Sequence, residues 1–165
     1  MIKSIQLLID ALREELQTYG EMLALLDHQQ KCLVARAAGE VFQSISLIKA
    51  QGSAILQARS RREECRRLVA EDFQRPQDTS FASLIPILPA DYQPLFQALV
   101  EENNELLTRV RRRARQNHLM LRRSVEMMQE LLNTLLPARR ASVYDGTGSC
   151  QAAPAMPRRL YEAVG

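Results

Sequence analysis

The chain contains no tryptophan, and aromatic residues make up only 5% of its 165 positions. Strands draw on aromatic and β-branched side chains, so this scarcity argues against a β-rich fold. Glycine and proline are few, at six and seven, and most fall outside the periodic stretches. Three cysteines, an odd number at wide spacing, argue against a disulfide framework and fit a reducing cytosol. Charge of one sign is also lacking: 22 basic residues meet 19 acidic ones, for a net +3. A nucleic-acid footprint is denser and more one-sided than that. No stretch approaches the roughly 18 consecutive apolar residues of a membrane span. The opening run MIKSIQLLIDALREELQ is interrupted by Asp10, Arg13 and Glu14, so it lacks the clean apolar run and cleavage site of a signal peptide. A cytoplasmic protein with no integral membrane segment is expected.

Leu, Ala, Glu, Gln and Arg dominate, a mixture suited to helices. The 46% of hydrophobic residues is enough to build a core, and the length favours one domain. The organising stretch runs from Asp91 to Leu136. Its stripe is Phe96, Leu99, Asn103, Leu106, Val110, Asn117, Leu121, Ser124, Met128, Leu131 and Leu135. The steps are three or four residues, with one of seven across an arginine cluster. This period of about 3.5 keeps one stripe facing a partner helix. At about 1.5 Å per residue the helix spans about 65–70 Å, too long to bury its stripe against anything but another long helix.

Two further segments repeat the rhythm. The first, from Lys3 to Ala38, carries Ile5, Leu8, Leu12, Leu16, Tyr19, Leu23, Leu26, Gln30, Leu33 and Ala37. It ends at Ala38-Gly39, glycine being the usual residue just past a helix. The second, from Glu40 to Asp72, carries Phe42, Ile45, Ile48, Gly52, Ile55, Arg59, Arg62 and Leu68 or Val69. Its latter half, RSRREECRR, is almost all charge, so that end of the hairpin is expected to pack less well. Two helices joined by so short a break lie antiparallel. Between Phe73 and Gln93, Asp78, Thr79 or Ser80 caps a short helix that Pro86 stops, and the run FASLIPILP folds back over the hairpin. Asp91 is the expected N-cap of the third long helix, which Pro137 ends. The remaining residues are rich in Ala, Gly, Ser, Pro and Arg and have no period, as in a mobile tail. The expected fold is all-α: a long antiparallel three-helix coiled-coil bundle, with a short helical segment before the third helix. The helical domain covers 1–136 and the tail 137–165.

Chemical motifs are sparse. His28 and Cys32 are four apart and face the same way on a helix, but a metal site would need two more ligands, and no second pair of comparable spacing exists. Cys65 and His118 lie in separate segments. Neither metal nor cofactor is expected. The acidic pairs Glu14-Glu15, Glu63-Glu64 and Glu101-Glu102 are neighbours on solvated helix faces. There is no phosphate loop and no nucleophile elbow, so the chain is not read as an enzyme. The cluster Arg109, Arg111, Arg112, Arg113, Arg115, then Arg122 and Arg123, wraps around its helix instead of forming one phosphate-binding face, and glutamates flank it. The segment Leu119 to Leu136 has more apolar residues than a single stripe needs. One reading is deeper burial. The other is a face for a partner's amphipathic helix, for which adaptable methionines are suited.

With these residues in view, the chain resembles the FlgN family of flagellar export chaperones over nearly its whole length. The likeness rests on four stretches: LLIDALREELQTYGEMLALLDHQQKCLV with its Tyr19 to Leu23 spacing; VFQSISLIKAQGSAILQARSRREECRRL after the Ala38-Gly39 break, with Lys49 and Arg61; QNHLMLRRSVEMMQELLNTLL around Asn117; and Val143-Tyr144-Asp145-Gly146-Thr147-Gly148 just beyond the last helix. The chain departs from the pattern at His118, where many members have glycine. The resemblance implies a non-enzymatic cytosolic chaperone that binds the C-terminal helices of hook–filament junction proteins. It would prevent their premature assembly and deliver them to the export apparatus. It implies client binding at Leu121, Val125, Met128, Leu132 and Leu135. It also implies docking on the cytosolic domain of the export gate at Tyr144 and Gly148. A basic coiled-coil nucleic-acid binder and a structural scaffold are the alternative readings.

Overall fold

The structure, a computed structural model, describes residues 2–135. The expected tail over 137–165, with Tyr144 and Gly148, and the helix end at Leu136 and Pro137 lie outside the described residues. Every regular element among the described residues is helical: α1 (Ile2–Val34), α2 (Ala38–Asp72), α3 (Phe81–Leu84) running into a 3-10 turn (Ile85–Ile87), and α4 (Gln93–Leu135). The described residues divide into two units, with the division between Arg123 and Ser124.

The first turn differs from the expected one. α1 stops at Val34, and the left-handed residue is Arg36, with φ of 57°. Arg36 N–H donates to Leu33 O and Ala37 N–H to Cys32 O, the paired bonds of a Schellman closure. Gly39 therefore sits inside the first turn of α2, with nothing within 4 Å of an added Cβ. The same device ends α2: Gln74 has φ of 54°, donating to Glu71 O, while Arg75 N–H donates to Ala70 O.

α1 and α2 run antiparallel, with Cα atoms approaching within 8 Å. Polar pairs fix how they meet. Gln29 Nε2 donates to Ser44 Oγ at 3.1 Å, Gln51 Nε2 to Thr18 O at 3.0 Å, and Arg62 Nη1 to both oxygens of Glu15 at 3.1 Å. The face that α2 buries is Val41, Ser44, Ala58, Cys65, Arg66, Val69 and Ala70. The expected stripe holds in part: Val69 is buried, and Ile48 and Ile55 pack against the cluster around Tyr19. Phe42 and Ile45 point outward, as do Leu47, Leu56 and Leu68. α2 has apolar residues around its whole circumference, so periodicity does not choose a face. Small side chains and paired polar groups do, because they permit close approach of the two backbones. On α1 the expected Ile5, Leu8, Leu12, Tyr19 and Leu26 are buried, while Glu15, Met22, Gln29 and Cys32 are buried in preference to their neighbours Leu16, Leu23, Gln30 and Leu33.

The charged end of α2 is also not the loose end. Cys65 and Val69 join Ile5, Leu8, Ile9, Ala11 and Leu12 of α1 in the larger core cluster, closed by Leu84, Leu88, Phe96 and Leu99. Ser80 caps α3 by accepting from Ser83 N–H, and the Leu84–Leu88 run covers the hairpin end. The α-helix ends at Leu84, ahead of Pro86 as expected, and the chain continues as a 3-10 turn with the proline near its start. Arg66 is buried and holds the connection in place. It donates to Gln77 O at 2.7 Å, to Thr79 O, and to the Glu63 carboxylate. That guanidinium holds the Glu63 carboxyl below the usual range. α4 starts at Gln93, two residues past the expected cap Asp91, with the Gln93 side chain donating to Leu88 O at 2.8 Å and Pro86 O at 3.2 Å.

α4 lies along α1, and the two run parallel. Asn103 Nδ2 donates to Leu12 O at 3.1 Å, and Asn117 Nδ2 to Leu26 O at 2.7 Å. Both pairs are separated by 91 residues, so two seam asparagines, two heptads apart, meet two carbonyls two heptads apart. Asn117 Nδ2 also donates to Gln29 Oε1 at 3.1 Å, and Gln29 in turn reaches Ser44. One buried polar layer therefore crosses α4, α1 and α2. Val110, with half-buried Leu106, packs against Tyr19, Met22 and Leu26 between the two asparagines. The seven-residue gap in the seam is filled by Arg113, whose Nε lies 2.6 Å from Asp27 Oδ1 and whose Nη1 donates to Gln30 Oε1.

This geometry makes the turn and the polar layer testable. Gly39→Ala, in an open helical position, should stabilise the chain by about 0.5 kcal/mol, and Arg36→Gly by about 0.5–1 kcal/mol, because an L-residue in the left-handed region is strained. Denaturant unfolding measures both, and a loss at Gly39→Ala would move the turn back to glycine. Asn117→Ala should destabilise by about 1–3 kcal/mol, since it strips the buried Gln29 oxygen of its donor. The exposed neighbour change Asn104→Ala should stay within about 0.5 kcal/mol.

Candidate functional site

The seam of α4 changes character along its length. Phe96, Leu99, Asn103, Val110 and Asn117 are buried. Met120 and Leu121 are half-buried. Beyond Arg123 every described residue is exposed: Val125 at 53%, Met128 at 64%, Leu132 at 55% and Leu135 at 74%. Met127 and Leu131 are exposed alongside them.

At about 100° per residue, Val125, Leu132, Met128, Leu135, Leu131 and Met127 fan across about 160° of the helix, with Ser124 among them. Arg122, Arg123, Glu126, Gln129, Glu130 and Asn133 occupy the remainder. The segment is therefore strongly amphipathic, with an apolar face wider than the roughly 100° stripe of an ordinary surface helix. Its apolar side chains are unbranched or γ-branched apart from Val125, and its two methionines adapt their shape to what they touch. Of the five residues singled out from the sequence, Val125, Met128, Leu132 and Leu135 share this open face. Leu121 lies in the first unit, where it is half-buried. Tyr144 and Gly148 lie outside the described residues.

The arginine cluster does not form one surface. Arg113 turns inward to Asp27 and Gln30, while Arg109 and Arg112 line a shallow hollow together with Asn104, Glu105 and Thr108. A second polar constellation is buried: Tyr19 donates to Glu15 Oε1 at 2.8 Å, Arg62 grips the same carboxylate, and the Arg62 guanidinium lies 5.8 Å from the Phe81 ring centroid. Burial, with the hydrogen bond to Glu15, pushes the Tyr19 hydroxyl up to about 12. This network faces the core and ties α1 to α2 and α3.

Metal-ligating groups converge once among the described residues, where Glu40 joins His28 and Cys32. The sequence singles out the last two, and the short turn after Val34 supplies the third. Of the exposed apolar residues of α2, Phe42 and Ile45 belong to the expected stripe, whereas Leu47 and Leu56 do not. The signal that points to the true face is the placement of Ser44, Ala58 and Cys65 on the opposite side.

No described helix is long and apolar enough to cross a membrane. No curated protein and no solved structure matches the chain. A family model described as FlgN protein matches residues 1–152, which takes in all three long helices and the amphipathic end of α4. The chain belongs to the FlgN family of flagellar export chaperones.

Proposed function

We propose that the apolar face of α4 from Leu121 to Leu135 receives the C-terminal helical segments of hook–filament junction proteins. The chain keeps them unassembled in the cytoplasm and delivers them to the flagellar export apparatus. The observation that carries this reading is the exposure of Val125, Met128, Leu132 and Leu135 on one helical face. Proteins that polymerise outside the cell carry apolar helix faces before assembly, and such faces are covered by helix-in-groove packing. Fully burying one Leu, Val or Met side chain is worth about 1.5–3 kcal/mol. Several anchors, less the cost of association, give a complex that holds its client and still releases it. In this reading residues 1–136 act as an antiparallel three-helix bundle and 137–165 as the delivery segment, whose Tyr144 and Gly148 dock on the cytosolic domain of the export gate.

Binding measurements test it. Met128→Glu with Leu132→Glu should weaken binding of a junction-protein C-terminal peptide by at least tenfold, with the helical circular dichroism unchanged, because both positions are exposed. Binding at the original strength would reject this face. Wild-type binding should also change little between about 50 and 200 mM salt, whereas phosphate-directed binding falls steeply over that range. Tyr144→Ala should leave client affinity intact and weaken capture by the export gate's cytosolic domain. Equal loss of both contacts would reject the division of labour.

A further inference from the structure

His28 and Cys32 sit one helical turn apart near the end of α1, on a common face. The Schellman closure at Arg36 reverses the chain within a few residues and brings Glu40, in the first turn of α2, to the same place. His28 Nε2 lies 3.5 Å from Cys32 Sγ, and Cys32 Sγ lies 3.3 Å from Glu40 Oε2. All three ligand atoms fall within 4.8 Å of one another. In a tetrahedral zinc site, with Zn–S about 2.3 Å and Zn–N or Zn–O about 2.0–2.1 Å, the sulfur is about 3.5 Å from each lighter ligand. The sulfur thus already stands at the edge lengths of a zinc tetrahedron from both of its neighbours.

We propose that His28, Cys32 and Glu40 bind one Zn²⁺ ion that ties the end of α1 to the start of α2. Water fills the fourth position. The donor set decides the metal class. One thiolate and one imidazole with one carboxylate select zinc over the oxygen-seeking Mg²⁺ and Ca²⁺. His28 and Glu40 are exposed while Cys32 is 3% exposed, so an ion enters from the solvent side and meets the sulfur at the base of the site. Without metal the thiol donates to Glu40. On binding, the Cys32 S–H bond gives way to a Zn–S bond and the proton leaves to solvent, with no change of oxidation state. The site lies one turn from Gln29, whose side chain joins Asn117 to Ser44, so the ion would hold the helix crossing against which α4 is registered.

The test uses the full chain, stripped with a chelator and then titrated with Zn²⁺ by calorimetry. Co²⁺ serves as an optical probe for thiolate charge-transfer and tetrahedral d–d bands. One ion per chain is expected, with Kd below about 1 μM and a cobalt spectrum showing a sulfur ligand. Glu40→Gln and His28→Ala, both at exposed positions that leave the fold intact, should each weaken uptake at least tenfold. Cys32→Ser should abolish the charge-transfer band, while a Cys65→Ser, Cys150→Ser double variant keeps it. Absence of stoichiometric uptake overturns the proposal. So does uptake that survives Cys32→Ser, or uptake lost in the double variant.

Discussion

A primary amide taken out of water must find acceptors inside the protein, and the side chains of Asn103 and Asn117 find them on the backbone of α1. That requirement fixes the structure more tightly than any apolar contact does. Leucines in a seam tolerate sliding by a heptad, because one leucine replaces another. Asn117 does not, because besides Leu26 O it bonds the Gln29 side chain, an acceptor that a slide would take away. The Gln29–Ser44 contact extends this lock to α2. Glu15, Tyr19 and Arg62 form a further lock between the two. Apolar burial drives these helices together, and the buried polar groups decide how they meet.

The seam of α4 was legible because it obeys one period and because its polar members are spaced as strictly as its apolar ones. Phe96, Leu99, Asn103, Val110 and Asn117 are the buried residues of α4, and all five belong to the pattern. The gap at the arginine cluster is real in composition but not in space: Arg113 occupies the seam position with its charge met by Asp27. A long cation with an acceptor on the facing helix looks the same in sequence as a solvated one. α2 is less legible for a different reason. Its buried face is built largely from Ser44, Ala58, Cys65 and Ala70, small residues that carry little hydropathy signal but let the backbone of α1 come close. Phe42, Ile45, Leu47, Leu56 and Leu68, left outside, blur that pattern.

The turn between α1 and α2 shows how a local rule can point one step away from the right residue. Glycine is favoured in the left-handed position because it carries no Cβ penalty, yet here arginine takes that position and glycine begins the next helix. Packing on both sides of the turn sets where the helices end: Cys32 is buried at one end and Val41 at the other. The chain between them is too short for another solution, so Arg36 accepts the strain. The same shortness places Glu40 beside His28 and Cys32, a convergence that depends on the path of the turn and could not be read from residue spacing.

The two parts of α4 use one period for opposite ends. Up to Asn117 the seam contains carboxamides, and a seam with a buried carboxamide commits to one partner in one register. From Val125 to Leu135 the apolar face holds only valine, methionine and leucine, with the charged and amide residues on the other side. A face without such a lock accepts apolar helices of differing sequence and does not specify a single register, because nothing on it is left unpaired when the partner shifts. In the proposed role, holding an unassembled helix and then letting it go, selectivity from a buried polar key would be a hindrance: breaking it strands a desolvated amide and slows release. The placement of asparagine where the chain binds itself, and its exclusion from the exposed apolar face, is the feature of this sequence that best separates its internal packing from its proposed work on others.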